Sequence, residues 1–124
     1  MYEIQTEQHG NILIMRLLGS VLLPDAIQFS RQLADLTASP TISQAVLDMS
    51  QVTAIDNACL GVLVSMSARN RGGGPRLNLL APAPHVVQAL KDAKIDGFFP
   101  TFDYEQGLMG YLPVSAGTLE QDFS

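Results

Sequence analysis

Cysteine is almost absent from this sequence, because Cys59 is the only one among 124 residues. A single thiol excludes an internal disulfide framework and a cysteine-rich metal site. Histidine is nearly as scarce, and we interpret both His9, in a predicted turn, and His85, near a predicted helix start, as surface residues. The sequence therefore predicts a protein that is not an enzyme and that holds no metal or cofactor.

Long apolar runs and nucleotide-binding motifs are missing as well. No segment approaches the roughly 20 apolar residues that cross a bilayer, and residues 1–4 include neither a basic region nor a signal-like apolar core. The sequence has no Walker loop, no Gly-x-Gly-x-x-Gly and no His-Glu-x-x-His. We therefore expect a cytoplasmic protein that does not insert directly into a membrane.

Positive charge is scarce, since 7 Lys and Arg stand against 12 Asp and Glu and give a formal net charge of −5. This balance argues against a general nucleic-acid binder. Arg69, Arg71 and Arg76 do flank the glycines at 72–74, and we interpret them as a solvated helix end, where cations suit the helix dipole. An anion-binding role for the three arginines is the alternative.

Hydrophobic residues, by contrast, make up 47% of the chain, which is enough to build the core of one domain. Residues 2–8 alternate in polarity, residues 9–11 favour a tight turn, and residues 12–17 are apolar on nearly all positions. These segments predict two strands in a hairpin. The second strand is expected to be covered on both faces and to end at Gly19-Ser20.

Helical and strand-like segments then alternate to the end of the chain. The predicted elements are a helix over 24–38, a strand over 44–49, a loop over 50–55, a helix over 57–70, a strand over 77–80, a helix over 84–91, a strand over 97–100 and a helix over 104–112. A strand, a helix and a further strand in succession favour parallel pairing. The sequence therefore predicts an α/β fold: a small, mixed, mostly parallel sheet with an N-terminal hairpin and about four helices, in one domain over 1–112 followed by a loose tail over 113–124.

The junction between the predicted third strand and the helix after it is the expected working surface, because α/β proteins place their sites at such strand ends. Cys59 lies near the start of that helix, where the helix dipole lowers the pKa of a thiol. Its neighbours Leu60 and Val62 favour a small, buried apolar residue instead. A small-ligand sensor or an enzyme that uses Cys59 is the alternative.

This junction resembles the core signature of STAS domains, the family of the bacterial anti-sigma-factor antagonists and of their relatives in sulfate transporters. The family pattern is Asp-Leu-Ser, a few residues, and then Asp-Ser-Ser/Thr-Gly-Leu-Gly. The present chain has Asp48-Met49-Ser50, then Asp56, then Leu60-Gly61. The later glycines and the segments from 77 to 100 also resemble the family, so that the resemblance spans roughly residues 3–112 and implies a STAS fold.

The resemblance implies a switchable binding module. In the antagonist branch, the unphosphorylated protein binds a kinase-like anti-sigma factor, which phosphorylates the serine immediately after the second aspartate, and the complex then dissociates. The matching position here is Asn57, followed by Ala58 and Cys59. Asparagine caps a helix as well as serine does, but its amide cannot be phosphorylated, so the switch is absent at this place.

The expected docking surface combines the start of this helix with the loop after Gly19, where the family usually has acidic residues and this chain has leucines. Leu22 and Leu23 either form an apolar partner surface or pack beneath the first helix, whose apolar side is expected to include Ile27. The expected partner-binding residues are Asp48, Asp56, Asn57, Ala58, Cys59, Gly61, Leu22 and Leu23.

Two functions are consistent with this resemblance. The first is a non-enzymatic regulator that resembles an anti-sigma-factor antagonist, binds an anti-sigma factor or another kinase-like protein, and is not switchable at Asn57. The second is a STAS-only structural subunit of a signalling or lipid-transport assembly, with a scaffold or a transporter subunit as its partner. Neither function involves nucleic acid.

Overall fold

Strands and helices alternate along the residues that the computed structural model describes, namely 1–71 and 75–103, with 69–71 described by their backbone alone. The elements are β1 (Tyr2–His9), β2 (Ile12–Val21), a 3-10 helix (Leu23–Asp25), α1 (Ala26–Leu36), β3 (Gln44–Ile55), α2 (Asn57–Arg71), β4 (Arg76–Leu80), α3 (Pro84–Asp92), a second 3-10 helix (Asp96–Phe98) and β5 (Thr101–Phe102).

The sheet has the order β1-β2-β3-β4-β5. β1 and β2 form the antiparallel hairpin, and every later pairing is parallel. Each crossover moves to the next strand in the same direction, and right-handed crossovers of this kind place their helices on one face of the sheet. The α/β fold with a mixed, mostly parallel sheet and an N-terminal hairpin is therefore confirmed.

The main core lies between the sheet and the helices. It joins alternate side chains of the central strands to the apolar sides of α1, α2 and α3. Its largest fully buried members are Met15, Leu17, Phe29, Leu33, Leu47, Met49, Leu60, Leu63 and Leu79. A second cluster on the other face of the sheet consists of Ile12, Ile14, Val46 and Leu80. Both faces of β2 are thus buried, as its two-sided apolar pattern predicts.

The third strand is six residues longer than predicted. Residues 50–55 were expected to form a loop because they are mostly polar, but they continue β3 as far as Ile55. Their polarity alternates: Val52 is buried, whereas Gln51 and Thr53 are exposed. The extension pairs with residues 18–21 of β2, with one register shift before Leu18 and a second after Gly19, and ends with Val21 opposite Ile55.

Gly19 does not end the second strand, which continues through it to Val21. Its φ of +93° lies in the left-handed region, and a Cβ added there would lie 2.6 Å from the carbonyl oxygen of Met1. The second register shift of the β2–β3 pairing falls directly after this residue. The glycine therefore lets the strand change register and carry its pairing on to the end of β3.

The end of the described chain also departs from the prediction. Residues 97–100 were expected to form a strand, but Asp96–Phe98 is a 3-10 helix and the strand is the two-residue β5 that follows. The helix predicted over 104–112 and the tail predicted over 113–124 lie outside the described residues, which contain three α-helices. None of the described helices is long and apolar enough to cross a membrane.

We predict that Gly19→Ala destabilises the fold by about 2–3 kcal/mol. Alanine is strained at the positive φ of this position, and its Cβ would clash with the carbonyl oxygen of Met1. Gly61→Ala is the matched control, since it lies within α2 with nothing within 4 Å of the added Cβ. That change is expected to stabilise the fold by about 0.5–1 kcal/mol. Urea denaturation checks both values, and equal effects of the two substitutions would contradict the account of Gly19.

Candidate docking site at the start of the second helix

Asp56 is the residue that caps α2. One carboxylate oxygen, Oδ1, accepts the backbone N–H of Cys59 at 3.2 Å, and its carbonyl accepts the first helical hydrogen bond from Leu60 at 3.0 Å. A carboxylate suits this position because it satisfies a free N–H and lies at the positive end of the helix dipole. Asn57 is consequently the first residue of the helix rather than its cap, and its side chain is exposed.

A short turn between β2 and α1 lies directly beside this helix start. We name residues 22–25 the leucine turn. The N–H of Leu23 donates to the other oxygen of Asp56, Oδ2, at 2.6 Å. Within the turn, the N–H of Leu22 donates to the side chain of Asp25 at 3.2 Å, and the N–H of Asp25 donates back to the carbonyl of Leu22 at 2.7 Å. The leucine turn, which follows β2, and the start of α2, which follows β3, thus lie in contact.

The leucines of this turn point outward. Leu22 is 38% exposed and Leu23 is 67% exposed, so the alternative in which they pack beneath the first helix is wrong. Ile27, one helical turn after Leu23, is 72% exposed, although its spacing placed it on the apolar side of α1. The expectation for Ile27 failed because an apolar residue at the edge of a helical stripe is not distinguishable by spacing from a core residue.

The structure thus brings the leucine turn together with the exposed side of α2's first turn. Asn57 and Gly61 are exposed on that helix, and Ala58 between them is half-buried. We call this set the docking surface; it comprises Leu22, Leu23, Ile27, Asn57, Ala58 and Gly61.

Asp48 does not join this surface. It alternates along β3 with Val46, so it lies on the sheet face opposite the helices. Its oxygens accept hydrogen bonds from Arg16 at 2.9 Å and from the backbone and hydroxyl of Ser50 at 3.0 and 2.8 Å. Arg16 also pairs with Glu7 on β1 at 3.0 Å, and this hydrogen bond is the main reason that the pKa of Glu7 is lowered. Asp48 therefore belongs to a row of ion pairs that joins β3 to β2 and β2 to β1.

Cys59 was expected to contact the partner, but its side chain is fully buried. Its Sγ lies 3.5 Å from the carbonyl oxygen of Leu22, directly under the leucine turn. Burial raises the pKa of this thiol to about 12, and the nearby charge of Asp56 contributes to the shift. The helix dipole, which would favour the thiolate, is outweighed by desolvation. Cys59 is therefore a packing residue beneath the docking surface.

The two histidines lie apart from the start of α2. His9 lies 2.9 Å from Glu7 on the hairpin, and His85 is exposed at the start of α3. Among the described residues, no group of three or more His, Cys, Asp or Glu side chains is placed to hold a metal ion.

Residues 4–102 match the family model described as the Mlab, STAS domain. The chain therefore belongs to the STAS domain family. No curated protein sequence matches the chain significantly.

Solved structures with the same fold include anti-sigma factor antagonists and an anion transporter. An anti-sigma factor antagonist of Thermotoga maritima has a TM-score of 0.78 at 20% identity, over 86% of this chain and 92% of that one. The Bacillus antagonist SpoIIAA, unphosphorylated, has a TM-score of 0.71 at 14% identity, over 90% and 100%. The murine anion transporter Solute Carrier 26 family member A9 has a TM-score of 0.74 at 14% identity, over 85% of this chain and 18% of the transporter.

We predict that the Cys59 thiol makes the fold less stable at high pH. The unfolded thiol ionises near its ordinary pKa of 9.0, whereas the folded thiol ionises only near 12. The folded state therefore binds the extra proton in this window, and stability falls as pH rises from 9 towards 12, by up to about 1.4 kcal/mol per pH unit. Cys59→Ala removes that slope. Urea denaturation of both proteins between pH 8 and 10.5 checks it, and parallel curves would contradict the buried, neutral thiol.

Proposed function

We propose that this chain is a non-enzymatic STAS docking module that remains competent to bind its partner at all times. The observation that carries the proposal is the docking surface itself. Exposed leucines lie against a helix start whose first three residues, Asn57, Ala58 and Cys59, carry no hydroxyl group. The module acts from the cytoplasm.

The exposed apolar side chains of the docking surface would favour binding, because a partner would remove them from water. Leu22, Leu23 and Ile27 are three of the four exposed large hydrophobic residues after Met1 in the described part of the chain. Contiguous exposed apolar side chains are typical of a protein interface. Complete burial of an exposed leucine or isoleucine side chain contributes about 1.5–3 kcal/mol. Leu23 and Ile27, at 67% and 72% exposed, therefore gain most from a partner that covers them.

The absence of a hydroxyl group from residues 57–59 supports a surface that stays competent to bind. SpoIIAA exists in an unphosphorylated and a phosphorylated form. A phosphate brings nearly two negative charges to its site, and it would repel an apolar partner from a surface like this one. Since residues 57–59 have no hydroxyl group that a kinase could phosphorylate, phosphorylation at these three residues cannot end the complex.

A permanent apolar surface favours a stable assembly over a partner that must be released. We therefore infer that the chain is a structural STAS subunit of a signalling or lipid-transport assembly, and that its partner is a scaffold or a transporter subunit. The occurrence of this fold within an anion transporter supports the inference. An anti-sigma factor or another kinase-like protein is the second candidate, favoured by the antagonists that match this chain over nearly their whole length.

We predict that Leu23→Ser lowers the amount of partner that co-purifies with the full chain from its native host by about tenfold or more, because the interface loses a buried leucine. Phe98→Ser is the matched control, since Phe98 is also exposed, at 45%, but lies in the second 3-10 helix. Mass spectrometry measures the captured proteins and identifies them. Equal capture by both variants would contradict docking through the leucine turn.

We also predict that Asn57→Ser leaves the recovered complex intact when ATP is added, because a structural subunit has no kinase as its partner. Retention on the affinity resin with and without ATP, together with the intact mass of the chain, measures this. Release that depends on ATP and a mass gain of one phosphate would instead establish the kinase-like partner.

A further inference from the structure

We infer that Asp56 is a positioning residue, whose single carboxylate clamps the leucine turn to the start of α2. Oδ1 accepts the N–H of Cys59 at 3.2 Å and Oδ2 accepts the N–H of Leu23 at 2.6 Å. The two donors belong to segments 36 residues apart in the chain, so one side chain fixes their relative position. The inference rests on the proposed function, because the clamped surface is the docking surface.

Few other contacts attach the leucine turn to α2. Asp25 lies 3.8 Å from the amino group of Met1, and the N–H of Asp56 donates at 3.4 Å to the carbonyl of Val21, which precedes the turn. Leu23 is 67% exposed, and no residue of the 3-10 helix is buried. The hydrogen bonds between Leu22 and Asp25 are internal to the turn and do not attach it to α2. The weak contact between the Cys59 thiol and the Leu22 carbonyl, at 3.5 Å, does cross to α2. A charge-assisted hydrogen bond to a carboxylate is stronger than a bond of that kind.

The clamp assigns Asp56 an indirect role. Both of its oxygens accept hydrogen bonds from the protein's own backbone, so each takes part in holding the fold. Loss of the clamp releases Leu22 and Leu23 from their fixed orientation, and a partner must then order the turn as it binds. It also uncovers Cys59, which lies beneath the Leu22 carbonyl.

The test is D56N in the full chain. Asparagine is as good an N-cap as aspartate, but it has one oxygen in place of two, so it keeps the cap and loses the bond to Leu23. We expect native-state labelling of Cys59 by a neutral disulfide reagent, divided by the labelling rate of the same variant unfolded in urea, to become about tenfold faster or more. The division corrects for the change in thiol reactivity that follows the loss of the Asp56 charge. We expect the rate to be nearly independent of low urea concentrations, since the opening is local. D35N is the matched control, since it removes the same charge from the exposed side of α1, and its labelling rate is expected to equal that of the unmodified chain.

Amide hydrogen exchange provides the second readout. In the unmodified chain, the N–H of Leu23 is expected to be protected although its side chain is exposed; in D56N this amide exchanges faster while that of Cys59 stays protected. An unprotected Leu23 amide in the unmodified chain, or a folded D56N with unchanged labelling, would overturn the clamp. If the clamp fails but docking holds, Leu23→Ser still lowers capture by about tenfold or more and D56N does not. If docking fails but the clamp holds, D56N still labels faster, whereas Leu23→Ser captures as much partner as the unmodified chain.

Discussion

The parallel pairing of β2 with β3 along their full length is the constraint on which the rest of the structure depends. Two register shifts carry this pairing past Gly19 and end it with Val21 opposite Ile55. The next residues on each side are the leucine turn and Asp56, so the pairing itself places them in contact. The docking surface therefore arises from the end of a ladder of backbone hydrogen bonds, which is stiffer than a surface built from two free loops.

The alternation of helices and strands was sufficient to predict the α/β class, because apolar periodicity reflects burial directly. The polar extension of β3 was missed, since its residues pair by backbone hydrogen bonds that need no apolar side chain. The family pattern directed attention to the start of α2, where Asn57 and Gly61 are exposed and Ala58 is half-buried. Asp48 was grouped with them because it belongs to the same pattern, but the twofold alternation of a strand places it on the other face.

The side-chain roles within the site depend on tertiary contacts that no local pattern contains. Cys59 near a helix start suggests a reactive thiol, yet the turn above it buries the sulfur and raises the pKa to about 12. Asp56 suggests a partner contact, yet both of its oxygens bind backbone N–H groups. The sequence of Leu22 and Leu23 left exposure undecided, because the same residues would suit a buried helix start.

A partner that docks on the leucine turn and the first turn of α2 would protect the backbone amides of both segments from solvent. Hydrogen exchange of the complex purified from the native host, compared with the free chain, tests this docking most directly. The account predicts slower exchange over residues 22–27 and 57–61, and no change on the hairpin. Slower exchange around Glu7, Arg16 and Asp48, with none at the leucine turn, would contradict it.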